Sequence, residues 1–138
     1  MKKIAIVNGV NLGELGTREV DVYGHTDFST YFNTLKQHYP NVELIYFQSN
    51  KVDEIANFML QHKHCDGIIL NPGAFTHTSV ILADTIAAIP AKVVEVHISN
   101  LFGRENFRKN SPIASKCTGS LCGFGLFGYE LALFFLTR

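Results

Sequence analysis

Short apolar runs alternate with amphipathic stretches along the whole chain. Lys3 to Val7 reads as a buried strand, Val42 to Phe47 as a second and Gly67 to Leu70 as a third. Ala91 to His97 is a fourth, and Thr118 to Cys122 a weaker fifth. Between them, helical periodicity covers Phe28–His38, Val52–Lys63 and Thr78–Ala88, with a last stretch at Tyr129–Leu136. Strands of about 4–8 residues separated by helices of about ten are the pattern of repeated βαβ units. Crossovers of that kind are right-handed, so they lay the strands parallel and place helices on both faces.

Five strands in a chain of 138 residues predict an α/β fold. The member of the doubly wound class that suits them is the flavodoxin-like five-stranded parallel sheet, with strand order 2-1-3-4-5. No linker, repeat or low-complexity segment interrupts the pattern, so residues 1–138 are expected to form a single domain. Three connections leave the carboxyl ends of strands: Asn8–Asp27, Asn71–His77 and His97–Ser111. The first and last are longer than the ~2–6 residues usual in α/β units. Open α/β sheets bind their ligands at this edge, which directs the search for chemistry there.

Composition narrows the classes. Charged residues make up 17% of the chain, against a typical ~25%. The shortfall hints that part of the surface is covered by other copies of the chain, and the apolar content excludes disorder. Lysine plus arginine equals aspartate plus glutamate, at 12 each, so no overall field attracts nucleic acid or an anionic membrane. No run approaches the ~20 apolar residues of a membrane span, and the apolar run at the N-terminus meets a polar loop too soon for a signal peptide. Cys65, Cys117 and Cys122 form an odd set without paired spacing. They fit a reducing cytoplasm and read as small buried hydrophobes. A cytoplasmic protein is the expectation.

The three loops hold the candidate groups. The first offers amides with Arg18 and Tyr23 in a Gly-punctuated segment. In the loop after strand three, Thr76, Thr78 and Ser79 read as turn and helix-capping residues. His77 there is either a ligand contact or a satisfied surface histidine. Strand four carries the sharper signal, because Glu95 and His97 are two apart and so share a face. A carboxylate within Val93-Val94-Glu95-Val96 is costly to bury without a partner. The histidine supplies one, and the glutamate would fix its tautomer; a solvated pair at the strand end is the alternative. Beyond it, Arg104 and Arg108 would share a face of a helical turn, either as ligand contacts or as an ordinary solvated pair beside Glu105.

A tyrosine acts as a base only if its pKa, ~10 when unperturbed, falls toward neutrality, which takes roughly 3–4 kcal/mol of differential stabilisation. One guanidinium at ~4 Å contributes about that much at an effective dielectric of ~20. Arg18 and Tyr23 share a loop, so the arithmetic permits the pairing. His62, His64 and Cys65 are the one metal-like cluster, and they read as surface residues at a helix end. Gly123-Phe124-Gly125-Leu126-Phe127-Gly128 matches the dinucleotide fingerprint letter for letter. That fingerprint needs an acidic residue ~20 positions on at the end of a following strand, and the chain stops at Arg138. Close strand–helix packing is the better reading of these glycines.

Taken together, the loops resemble the type II 3-dehydroquinate dehydratases. The resemblance rests on Asn8-Gly9-x-Asn11-Leu12, Leu15-Gly16-Thr17-Arg18-Glu19, Val22-Tyr23-Gly24 and Gln48-Ser49-Asn50. It continues through Asn71 to Ser79, Glu95 to Asn100, Arg104-Glu105-x-Phe107-Arg108 and Gly123-Phe124-Gly125-x-x-Gly128-Tyr129. It implies a cofactor-free dehydration of 3-dehydroquinate to 3-dehydroshikimate, in the shikimate pathway to aromatic compounds or in quinate breakdown, by a homo-oligomer of trimers assembled into a dodecamer. By match of position, it implies Tyr23 as the base, Arg18 as the group lowering its pKa, and His97, oriented by Glu95, as the acid. Asn11 would hold the water that stabilises the enolate. Asn71, Ser99 and the Ile98 and Ser99 amides would hold the substrate carboxylate. His77 and Arg108 would meet the ring hydroxyls, Arg104 would add positive charge, and Asp84 would reach in from a neighbouring subunit. Val10 and Val20 stand where the family usually has proline. The rival reading, a non-catalytic small-molecule-binding protein of the same fold, has no need of a paired proton donor and acceptor.

Overall fold

The computed structural model describes residues 1–9, 27–77, 79–103 and 111–138, the side chains of Thr76 and His77 excepted. Five parallel strands run in the order β2-β1-β3-β4-β5: β1 Lys2–Asn8, β2 Val42–Gln48, β3 Gly67–Asn71, β4 Val93–His97 and β5 Gly119–Cys122. Four helices accompany them: α1 Phe28–His38, α2 Val52–Gln61, α3 Val80–Ala88 and α4 Phe127–Leu136. This is the α/β doubly wound order expected from the sequence.

Side-chain alternation sorts the core into two layers. Ile4, Ile6, Ile69, Val94 and Val96 point to one face, where Phe28 and Leu35 of α1 and Tyr129 and Leu133 of α4 cover them. Ala5, Val7, Ile68, Leu70 and Val93 point to the other, beneath Ile55 and Met59 of α2 and Leu82 and Ile86 of α3. Most of these side chains are fully buried, and each Ile, Leu or Val contributes about 1.5–3 kcal/mol by leaving water. Ser79 is a helix cap as the sequence suggests, and Asp27 is a second. Asp27 accepts from the Thr30 N–H at 2.8 Å at the start of α1, and Ser79 accepts from the Leu82 N–H at 3.0 Å at the start of α3. Each satisfies a helix-terminal donor that has no partner within the helix.

The boundaries differ from the sequence reading in informative ways. β1, β2 and β3 each run one residue further, to Asn8, Gln48 and Asn71, because the ladder pairs Asn8 with both Gln48 and Asn71. β4 begins at Val93 rather than Ala91, since the Ala91 N–H turns to the Lys63 carbonyl at 3.1 Å. α2 stops at Gln61, and His62 caps it. α3 starts at Val80, after its cap, rather than at Thr78. α4 begins two residues earlier than periodicity suggested, at Phe127, and takes in Gly128. A β-carbon at Gly128 would lie 3.1 Å from Val96 Cγ1, so glycine permits the close strand–helix contact expected of this segment. Gly123 and Gly125 do something else: with φ of 93° and 60° they form the turn between β5 and α4, a backbone region that favours glycine.

Candidate active site

Parallel strands bring all their carboxyl ends to one edge, and the buried polar residues gather there. Asn8, Ser49, Asn71, Glu95, His97 and Ser99 are the buried polar or charged side chains among the described residues. Each ends a strand or lies within two residues of its end. None of the buried side-chain nitrogens or oxygens there lacks a hydrogen-bond partner, as burial of polar groups requires.

The edge has two halves, one on each face of the sheet. On the α2/α3 side, His97 Nε2 lies 2.6 Å from Glu95 Oε2, with the two side chains 6% and 1% exposed. The pair is therefore desolvated, and the solvated alternative does not apply. A carboxylate on one ring nitrogen fixes the tautomer and leaves Nδ1 as the nitrogen that can meet a ligand. Ser120, in register with Glu95 on β5, donates from Oγ to Glu95 Oε1 at 3.4 Å. On the α1/α4 side, Asn71 and Asn8 are neighbours in the ladder, and the Tyr129 hydroxyl lies between them. It accepts from Asn71 Nδ2 at 2.9 Å and donates to Asn8 Oδ1 at 2.8 Å.

The roots of the loops are stitched together by backbone. The Gly9 N–H donates to the Asn71 carbonyl at 2.7 Å, and the Ser49 N–H to the Asn8 carbonyl at 3.1 Å. Gln48 Nε2 donates to the Gly9 carbonyl at 3.1 Å. The loop after β4 is held against the β5–α4 turn, where the Gly123 N–H meets the His97 carbonyl at 3.3 Å and the Gly125 N–H meets the Ile98 carbonyl at 3.1 Å. Ile98 and Ser99 are buried directly beyond His97.

The structure thus brings together Glu95, His97, Ile98, Ser99 and Asn71 at one edge. Asp84 lies exposed on the outer side of α3. Asn11, Arg18, Tyr23, Arg104 and Arg108 lie outside the described residues, as does the side chain of His77. Asn8 and Tyr129 were not singled out by sequence reasoning for any role. The signal available for Asn8 was an amide ending an otherwise apolar strand; for Tyr129 it was a phenol opening an apolar helix face.

The His62, His64 and Cys65 cluster sits at the opposite, amino edge. It lines a shallow pocket of about 280 Å³ with Lys3, Gln61 and Asp66. The His62 ring lies tilted against Phe58 with centroids 4.3 Å apart, and burial followed by the nearby Lys3 charge lowers its pKa. A histidine so shifted does not favour the charged form that would complement a helix C-terminus. Among the described residues no group of three His, Cys, Asp or Glu is placed to hold a metal, and no helix is long and apolar enough to cross a membrane. All three cysteines are free and half-buried. Burial raises Cys65, and burial with the Glu95 charge pushes Cys117 up to about 12, so both behave as small hydrophobes rather than thiolates.

Fold and site together define a doubly wound α/β protein whose carboxyl edge is equipped for acid–base work on a small polar ligand. Comparison with known proteins makes that specific. The family described as Dehydroquinase class II matches residues 2–137. A 3-dehydroquinate dehydratase of Bacillus cereus is 49% identical over 139 residues, spanning 99% of this chain and 95% of the relative. One from Bacillus anthracis matches to the same extent. The crystal structure of type II dehydroquinase from Butyrivibrio crossotus superposes with a TM-score of 0.96 at 37% identity, over 99% of this chain and 98% of that one. The corresponding structure from Propionibacterium acnes gives 0.94 at 33% identity, over 100% and 98%. The chain belongs to the class II dehydroquinase family.

The close approach of the first loop to the loop after β3 yields a prediction. A β-carbon at Gly9 would fall 2.5 Å from the Pro72 carbonyl oxygen, a backbone atom that cannot swing aside, whereas one at Gly119 meets nothing within 4 Å. Gly9→Ala should therefore lower unfolding stability by about 1–3 kcal/mol, and Gly119→Ala should stay within about 0.5 kcal/mol of wild type. Urea unfolding midpoints compare them, and equal midpoints for the two variants would contradict the packing described.

Proposed function

We infer that the chain is a 3-dehydroquinate dehydratase, a hydro-lyase that removes water from 3-dehydroquinate to give 3-dehydroshikimate in the shikimate pathway. The observation that carries the reading is the desolvated Glu95–His97 pair, 2.6 Å between Oε2 and Nε2 at the carboxyl edge, in a chain of the class II dehydroquinase family. Elimination from a β-hydroxy ketone needs a base at the carbon beside the carbonyl and an acid at the departing oxygen. It also needs donors where enolate charge develops.

Tyr23 is the base in this scheme. With its pKa lowered by Arg18, its phenolate takes the proton beside the ketone, and the electron pair of that C–H bond moves into the enolate. A water held by Asn11 donates to the enolate oxygen. As the enolate collapses, the carbon–oxygen bond to the hydroxyl breaks, and His97 delivers the proton with which it leaves as water. Glu95 orients the imidazole. A new carbon–carbon double bond conjugates with the ketone. The steps balance without metal or cofactor.

Binding is assigned to the rest of the edge. Asn71, Ser99 and the Ile98 and Ser99 backbone N–H groups hold the substrate carboxylate. His77 and Arg108 meet the ring hydroxyls, and Arg104 adds positive charge near the tyrosine. Asp84 serves the site of a neighbouring subunit in trimers that assemble into a cytoplasmic dodecamer. Its exposed position on α3, beside Val80 and Ile81 that are 63% and 56% exposed, supports a buried role in an assembly. Apolar residues in a patch of this kind mark contact surfaces.

Mixing purified protein with 3-dehydroquinate should produce conjugated-enone absorbance. Tyr23→Phe should lower kcat by about 10²-fold or more while the circular dichroism spectrum stays that of wild type. Full activity in that variant would reject the assigned base. Light scattering should report a large oligomer, and a stable monomer with full activity would remove the role given to Asp84.

A further inference from the structure

The α1/α4 half of the edge contains a polar network that the proton transfers do not use. Tyr129, in the first turn of α4, is fully buried. Its ring is held by packing alone, with the Phe28 ring 4.9 Å away edge-to-face and the Tyr31 ring at 6.2 Å. Its hydroxyl joins two amides, and one backbone group dictates the polarity of the whole chain of bonds. The Gly73 N–H can only donate, and it donates to Asn71 Oδ1 at 3.2 Å. Asn71 Nδ2 therefore faces Tyr129 and donates to its hydroxyl at 2.9 Å. The single hydroxyl proton then goes to Asn8 Oδ1 at 2.8 Å. Asn8 Nδ2 in turn donates to the Tyr46 hydroxyl at 3.3 Å.

Turning the Asn71 amide over would set donor against donor at Gly73. Two of the four hydrogen-bonding positions of that amide are used in this arrangement, one on each atom. A second N–H on Nδ2 and a second lone pair on Oδ1 remain to meet a ligand. The Gly73 N–H sets which end of the amide donates, and the Tyr129 hydroxyl, by engaging one Nδ2 hydrogen, sets the plane in which the second lies.

We propose that Tyr129 is a positioning residue for the dehydration: with the Gly73 N–H setting which end of the Asn71 amide donates, the Tyr129 hydroxyl engages one Nδ2 hydrogen and so fixes the amide plane in which the second is presented to the substrate carboxylate. This rests on Asn71 being a substrate contact, as in the function inferred above. Burial raises the Tyr129 phenol well beyond the usual tyrosine range, more than its bonds to Asn71 and Asn8 lower it. It stays a neutral donor at every pH where the enzyme works. Tyr129 thus differs in kind from Tyr23, the phenol assigned to ionise.

The test is a double-mutant cycle on the intact oligomer with 3-dehydroquinate, using Tyr129→Phe, Asn71→Ala and the pair. Tyr129→Phe should raise KM on the order of tenfold, the worth of about one hydrogen bond, with kcat lowered less than about threefold and its pH profile unmoved. In the Asn71→Ala background, the same change should move KM less than about twofold, because residues that act through one another are not additive. An unchanged KM in Tyr129→Phe, or the same KM increase in both backgrounds, overturns the role; a purely structural tyrosine would lower the melting temperature and leave KM alone. If Tyr129→Phe does not fold, hydrogen exchange in the wild type decides. The Asn71 Nδ2 proton facing Tyr129 should exchange on the order of tenfold slower than its geminal partner, and equal rates overturn the proposal. Wild-type protein that leaves 3-dehydroquinate unchanged overturns the dehydratase reading and this role with it. A wild type that turns over, with an unmoved Tyr129→Phe KM, overturns this role alone.

Discussion

A sheet covered by helices on both faces admits polar side chains only where each finds a partner, and here that condition is met along a single edge. β1 and β3 are apolar through their centres, β4 carries Glu95 at its middle, and Asn8, Asn71 and His97 end these three strands. Burying an amide without a hydrogen bond costs about 1–3 kcal/mol in proteins, and an unpaired carboxylate costs far more. Glu95 and His97 answer that cost for each other, and Asn8, Asn71 and Tyr129 answer it as a group. The same pairing that makes burial tolerable also removes rotational freedom, so the edge presents fixed groups to whatever binds there.

The two halves of that edge divide the work. The face beneath α2 and α3 holds the Glu95–His97 pair, suited to carrying a proton. The face beneath α1 and α4 holds neutral amides and a phenol, suited to orienting a ligand without exchanging protons with it. Register produces the division. Asn8 and Asn71 follow Ile6 and Ile69 on one face, while Glu95 sits opposite Leu70 on the other. The imidazole and the Asn71 amide thus leave the edge from different faces of the sheet.

Much of this was legible in the residues, and the misses have physical causes. Short apolar runs and period-3.6 patterns located the five strands and four α-helices of the described residues, and the chain order led to strand order 2-1-3-4-5. The Glu95–His97 pair was legible because a carboxylate between valines demands a partner. Strand ends were read one residue short at Asn8, Gln48 and Asn71, since a polar side chain looks like the start of a loop. The backbone ladder takes no notice of side-chain polarity and carries on through them. The close strand–helix packing expected of the glycines holds at Gly128, whose missing β-carbon lets α4 lie on Val96, although the helix itself starts two residues before the apolar periodicity does. The Tyr129 network escaped because its three members are 8, 71 and 129 in the sequence, and only the parallel register and the α4 packing bring them together. Arg18 and Tyr23 carry the opposite kind of signal, a pairing proposed from proximity in one loop and from family resemblance.

The account turns on one phenol behaving unlike the others. The chain has five tyrosines. Burial raises the pKa of Tyr31, to about 12, and that of Tyr39, Tyr46 and Tyr129 as well, so none of these four ionises near neutral pH. An ultraviolet phenol titration of the native protein therefore isolates Tyr23. A single tyrosine ionising well below the unperturbed value of ~10, and missing from the Tyr23→Phe titration, is the predicted result. A native protein in which all five phenols ionise at or above that value would contradict the mechanism at its first step.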